Sequence, residues 1–174
     1  MMKLPFTPHL RAAGFTLIEL IVVMIIIGIM AFAVLPRLDL LRGFDEIGYR
    51  DKVKSTLEYA RKSAVAQRRN VCVRTVGNSL LLTIENDVPE SSAGTCTAVA
   101  SFPRNLALPT ADRACGGATN QVCAPANVTL TQDGNSTGNL TFTPLGVPSA
   151  AATYTVTGDA AHSFTVEAET GYVH

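Results

Sequence analysis

From Phe15 to Leu35 the chain runs for 21 residues, FTLIELIVVMIIIGIMAFAVL, with Glu19 as the one ionisable side chain in the run. Wound as an α-helix, that length spans roughly 31 Å, about the thickness of the hydrocarbon core of a bilayer. A helix that is apolar on every side has no face to offer water, so it needs lipid or other apolar helices around it. A carboxylate inside such a segment costs about 3 kcal/mol on insertion scales and calls for a partner or a task. The plainer alternative is a Glu tolerated at headgroup level near the end of the span.

The preceding stretch, MMKLPFTPHLRAAG, carries Lys3 and Arg11 without an acid. Pro5 and Pro8 make it a poor helix. Cations ahead of an apolar span hold that end in the cytoplasm and direct the rest of the chain across the membrane. A secretory signal keeps its small-residue cleavage site beyond the apolar stretch. Here the small residues Ala12-Ala13-Gly14 lie before it, and the run ends in Val34-Leu35-Pro36-Arg37. A cut on the cytoplasmic side would therefore remove the charged leader and leave the apolar helix as an anchor.

Gly14-Phe15-Thr16-Leu17-Ile18-Glu19 resembles the processing site of type IV prepilins and type II secretion pseudopilins. The resemblance implies that a prepilin peptidase cuts between Gly14 and Phe15 and N-methylates Phe15. Glu19 then becomes the fifth residue of the processed chain. Gly28 and Pro36 fall where many members of that family have a Gly and a helix-bending Pro. A freed Phe15 amine stands four residues before Glu19, within reach along one helix face. The amine of a neighbouring chain would serve as well, and would fix the axial stagger between packed helices. Both arrangements are open at this level.

The 174 residues suffice for one ordinary domain once the apolar segment is set aside. Pro36 disfavours helix at Leu35, and Gly43 and Gly48 weaken the next stretch further. Val53, Leu57, Ala60 and Ala64 then recur at helical spacing, with Lys52, Lys54, Arg61, Lys62 and Arg68 largely off that stripe, which predicts an amphipathic helix from about Tyr49 to Arg69. Val71–Val76, Gly77-Asn78 and Ser79–Ile84 read as a hairpin with a two-residue turn. Further strands are expected at 128–132, 139–143, 153–157 and 163–168. Residues 85–127, rich in Ser, Ala, Gly, Pro and Cys, read as a long loop held by disulfides. The fold class is α+β, with a helix laid on an antiparallel sheet.

Four cysteines lie beyond the apolar run, and their spacing does not match a paired zinc pattern. An even number beyond a membrane segment suggests disulfides in an oxidising compartment. Three pairings are open. Cys115 with Cys123 would close a small Gly-containing loop and leave Cys72 with Cys96, the arrangement expected here; four reduced, buried thiols are the alternative.

Net charge is zero, but residues 37–70 hold nine Lys or Arg against five acids, and residues 71–174 three Arg against eight acids. A nucleic-acid footprint would have to lie on the basic helix. No metalloprotease, nucleophile-elbow or phosphate-loop motif is present, and no cofactor or metal pattern. His162 beside Asp159 is the one conceivable catalytic pair, and it reads as an exposed turn.

The resemblance extends past the amino terminus. Leu57–Ala66, the strand at Val71, Leu140–Pro148 and Thr170–His174 look like the GspH/FimT branch of minor pilins. It implies a type IV pilin-like fold with residues 1–14 as cleaved leader, 15–35 as transmembrane and filament-core helix, 36–70 as amphipathic helix and 71–174 as a periplasmic β-rich domain. The implied function is that of a minor pilin or pseudopilin in a type II secretion pseudopilus or a type IV, MSHA-like pilus, at or near the tip. Implied partners are the prepilin peptidase, other major and minor pilins or pseudopilins, and an inner-membrane assembly platform. The implied location is the bacterial inner membrane and then the filament, with no enzymatic activity. Some FimT-like relatives take part in DNA uptake through a Gly-Arg-x-Arg motif near the carboxyl end, which makes a DNA receptor the alternative. Here the matching positions read Gly171-Tyr172-Val173-His174, without either Arg, in an acidic domain.

Overall fold

Helix α1, Leu17–Val34, opens where Thr16 turns its hydroxyl back onto the chain: Thr16 Oγ1 accepts from the Glu19 N–H at 3.3 Å and the Thr16 carbonyl from the Leu20 N–H at 3.2 Å. This is an N-cap with Glu at the third helical position. In this computed structural model residues 15–34, 42–86, 96 and 104–174 are described; the leader, Gly14 and Pro36 lie outside them. The chain divides into two units, Met1–Asp39 and Leu40–His174.

In the first unit, α1 covers 18 residues, or about 27 Å at ~1.5 Å per residue. This is shorter than the 21-residue span expected from composition, because the cap leaves Phe15 and Thr16 ahead of the helix and Leu35 lies outside the described residues. Among the described residues, no helix is long and apolar enough to cross a membrane.

In the second unit, α2 (Arg42–Gln67) lies against two antiparallel sheets. The first contains β1 (Val71–Val76), β2 (Ser79–Ile84), β3 (Arg104–Asn105), β4 (Gln121–Cys123) and β6 (Thr137–Phe142). Its order is β3-β2-β1-β6, with β4 also on β2. The second joins β5 (Thr129–Gln132), β7 (Ala152–Thr157) and β8 (Ala161–Val166) in the order β5-β7-β8. The predicted hairpin is present with Val71 opposite Ile84 and Val76 opposite Ser79, and Gly77 supplies the left-handed residue of its turn at φ 57°.

Tyr49, Val53, Leu57, Ala60 and Ala64 form the buried stripe of α2, packed with Val71, Val73, Leu80, Leu82, Leu140, Phe142, Tyr154 and Val156 from both sheets. The alanines keep the helix close to the strands. Strand side chains alternate in direction, so Cys72, between Val71 and Val73, faces the other side of its sheet. There Cys96 covers it, bonded across a Cα separation of 5.4 Å. Replacing Cys72 and Cys96 together by Ala is expected to cost about 2–5 kcal/mol, read as a lower denaturant midpoint; an unchanged midpoint would mean that the crosslink adds nothing to this fold.

Three expectations need correction. Helix α2 begins at Arg42, seven residues before Tyr49, and runs through Gly43 and Gly48; in that stretch Glu46 is buried and meets Ala160 and His162 of the β7–β8 hairpin. Among the described residues of 85–127, β3, β4 and a 3-10 turn at Arg113–Cys115 replace part of the expected loop; residues 87–95 and 97–103 lie outside those described. His162 sits in β8 rather than in a turn.

Candidate assembly site

Ahead of α1 and along its described side chains the apolar residues stand in the open, from Phe15 at 80 % exposure and Leu17 at 77 % to Ile29 and Met30. Glu19, one turn in, is the only ionisable side chain in α1. The structure adds Thr16, to which the sequence alone assigned no role: its hydroxyl fixes the turn that presents Glu19. The signal was legible as Thr-x-x-Glu ahead of an apolar run. Gly28 has nothing within contact range of where a Cβ would stand. Chemically, the segment can bury apolar area against lipid or like helices and can meet one cation at Glu19.

On the second unit, the carboxylate of Asp112 gathers three elements. Its Oδ1 accepts from Lys52 Nζ of α2 at 3.0 Å and from the Ala114 N–H at 3.3 Å, and its Oδ2 from the Cys123 N–H of β4 at 3.1 Å. Burial alone would raise its pKa, but the Cys123 N–H, the Lys52 ammonium and the Ala114 N–H together hold it below the usual carboxylate range. The Cys115–Cys123 disulfide, with Cα atoms 5.3 Å apart, closes the same loop. Beside it lies an open cavity of about 350 Å³ between α2 and residues 108–112, walled by Tyr59, Leu108, Pro109 and Val122.

Two carboxyl-terminal segments, Leu140–Pro148 and Thr170–His174, meet in space. Gly146 and Gly171 take left-handed φ angles of 79° and 65°, and a Cβ on Gly171 would come within 2.5 Å of the Gly146 carbonyl. That carbonyl accepts from Arg61 Nε of α2 at 3.3 Å. The final residues extend the second sheet, with Thr165 and His174 exchanging both backbone hydrogen bonds.

Much of the basic set is engaged within the domain. Lys52 holds Asp112, Lys62 pairs with Glu58, Arg69 donates to the carbonyls of Glu85 and Asn86, and Arg104 donates to Gln67. His162 does not pair with Asp159; its Nε2 lies 3.1 Å from Glu46 Oε1. Among the described residues no group of three side chains is placed to hold a metal ion.

The model of the prokaryotic N-terminal methylation motif matches residues 10–35. No curated protein sequence matches the chain. Among solved structures, the chain is similar to the type IV minor pilin FimU of Pseudomonas aeruginosa, with 16% identity and a TM-score of 0.51 over 78% of this chain and 90% of that one. It is also similar to the minor pseudopilin EpsH of the Vibrio cholerae type II secretion system, with 12% identity and a TM-score of 0.51 over 77% of this chain and 94% of that one. At such identities the likeness is one of fold.

Proposed function

We propose that this chain, which carries the prokaryotic N-terminal methylation motif and has the type IV pilin-like fold, works as a minor pilin or pseudopilin. Its role is structural rather than catalytic. In this reading a prepilin peptidase removes residues 1–14 and methylates Phe15. The apolar segment 15–35 waits in the inner membrane with the second unit in the periplasm, and an assembly platform then moves it into the core of a filament of other pilins. The single observation that carries the reading is the pairing of that amino terminus with a disulfide-bonded α+β domain of minor-pilin fold. Placement at or near the tip of a type II secretion pseudopilus, or of a type IV, MSHA-like pilus, belongs to the same proposal.

Glu19 would give the assembly step its specificity. Among apolar neighbours, an amine left without a carboxylate costs about 3 kcal/mol, a factor of roughly 100 in an equilibrium. Glu19→Ala is therefore expected to be cleaved normally yet recovered in sheared filaments at least an order of magnitude below the native chain. Normal recovery would mean that the carboxylate is merely tolerated.

A further inference from the structure

Glu46 lies in the second turn of α2, only 3 % exposed, in a seat built by the β7–β8 hairpin. Its Oε2 accepts from the Ala160 N–H at 3.1 Å, and its Oε1 meets His162 Nε2 at 3.1 Å. The seat admits the carboxylate because residue 158 is Gly: a Cβ there would stand 2.3 Å from Glu46 Oε2. Asp45 on the helix and Asp159 in the turn line one small cleft with Gly158. The Ala160 N–H, helped by His162 and opposed by burial, holds the Glu46 carboxyl below the usual carboxylate range, so the seated group is an anion at neutral pH.

Among the described residues 44–48, Glu46 is the one that is buried. Gly48 costs roughly 1 kcal/mol relative to Ala in a helix interior, and Gly43 stands in the first turn. Phe44 and Ile47 point outward, at 71 % and 40 % exposure. The next apolar anchor is Tyr49, whose hydroxyl donates to the Asn78 carbonyl at 2.9 Å.

We propose that Glu46 is a latch: seated against Gly158, Ala160 and His162, it holds residues 42–48 as helix, and its release lets those residues unwind while the domain from Tyr49 onward stays folded. Seven residues passing from helix to extended chain gain roughly 13 Å of reach, at ~1.5 against ~3.3 Å per residue. The latch thus sets how much chain is free between the domain and the segment before it. It rests on the contacts of the second unit alone and stands whether or not the filament reading does.

Hydrogen exchange of the full chain in detergent, read by mass spectrometry, tests it. Glu46→Ala raises helix propensity at its own position, so propensity alone would slow exchange there. The latch instead predicts that amides 45–48 lose at least about tenfold in protection, while β1 and β2 keep theirs. Gly158→Ala, which fills the seat from the hairpin side, is expected to do the same. His162→Ala, which removes one contact of the seat, is expected to give a smaller, still local loss, and the exposed Glu58→Ala none. Unchanged protection at 45–48 in Glu46→Ala and Gly158→Ala overturns the latch. So does a loss shared equally by β1 and β2, since the carboxylate would then support the whole domain and not its first turns.

Discussion

A chain with Gly14 replaced by Val is expected to keep its fourteen-residue leader and an unmethylated Phe15. In the proposed processing, the bond to be cut would sit between a residue without a side chain and a bulky aromatic one, and a peptidase could approach the backbone closely on the Gly14 side. A branched Cβ at that point would hold the scissile peptide away from the catalytic groups of such a peptidase. A misplacement of even 1 Å costs on the order of 100-fold in rate. The retained leader would bring the two cations Lys3 and Arg11 with it. An amide also replaces the free amine that Glu19 is proposed to meet. Mass spectrometry of the intact protein reads cleavage and methylation together. Mature-length, methylated protein from the Val variant would remove the processing claim and, with it, the main support for the assembly reading.

The second large effect is expected in the core. Leu57 is fully buried midway along α2, between both sheets, so Leu57→Ala opens a cavity that rigid strands cannot close. The expected loss is about 2–5 kcal/mol, seen as a fall in the melting temperature of roughly 10 °C or more. Val65, on the same helix but 47 % exposed, serves as the control; Val65→Ala is expected to stay within about 0.5 kcal/mol. Equal effects at the two positions would mean that α2 does not seat on its sheets along the Val53–Ala64 stripe.

That stripe was legible because four apolar residues at helical spacing have one solution, a helix with one face on a core. The hairpin was equally legible: two six-residue apolar runs around Gly77-Asn78 fix both the turn and the register. The sequence hid whatever depends on a distant partner. The two glycines near the start of α2 argue locally against helix, and the hairpin that meets Glu46 there lies more than a hundred residues later, out of reach of any local reading. Strands β3 and β4 hold two and three residues and show no alternation; they are strands because β2 has an edge to be paired. His162 looked like a turn residue beside Asp159 because its true partner lies 116 positions away. At the amino terminus, Phe15 and Glu19 stood out by chemistry. Thr16 carries only the weaker signal of a Thr three residues before a Glu, and its role became plain in the hydroxyl that closes the first turn.

The stretch from Glu85 to Cys123 is fastened at intervals: by Asn70 on Glu85, by Cys72 on Cys96, by β2 on Arg104 and Asn105, by Lys52 on Asp112 and by Cys115 on Cys123. Each fastening is set by its own partner: Asn70 between α2 and β1, Lys52 in α2, β1 and β2 in the first sheet, or a residue of the stretch itself. Doubling the length of such a stretch costs only about 0.6 kcal/mol in closure entropy. This flank of the domain is where insertions and wholesale changes of surface can accumulate over evolutionary time, leaving the helix and sheets beneath untouched.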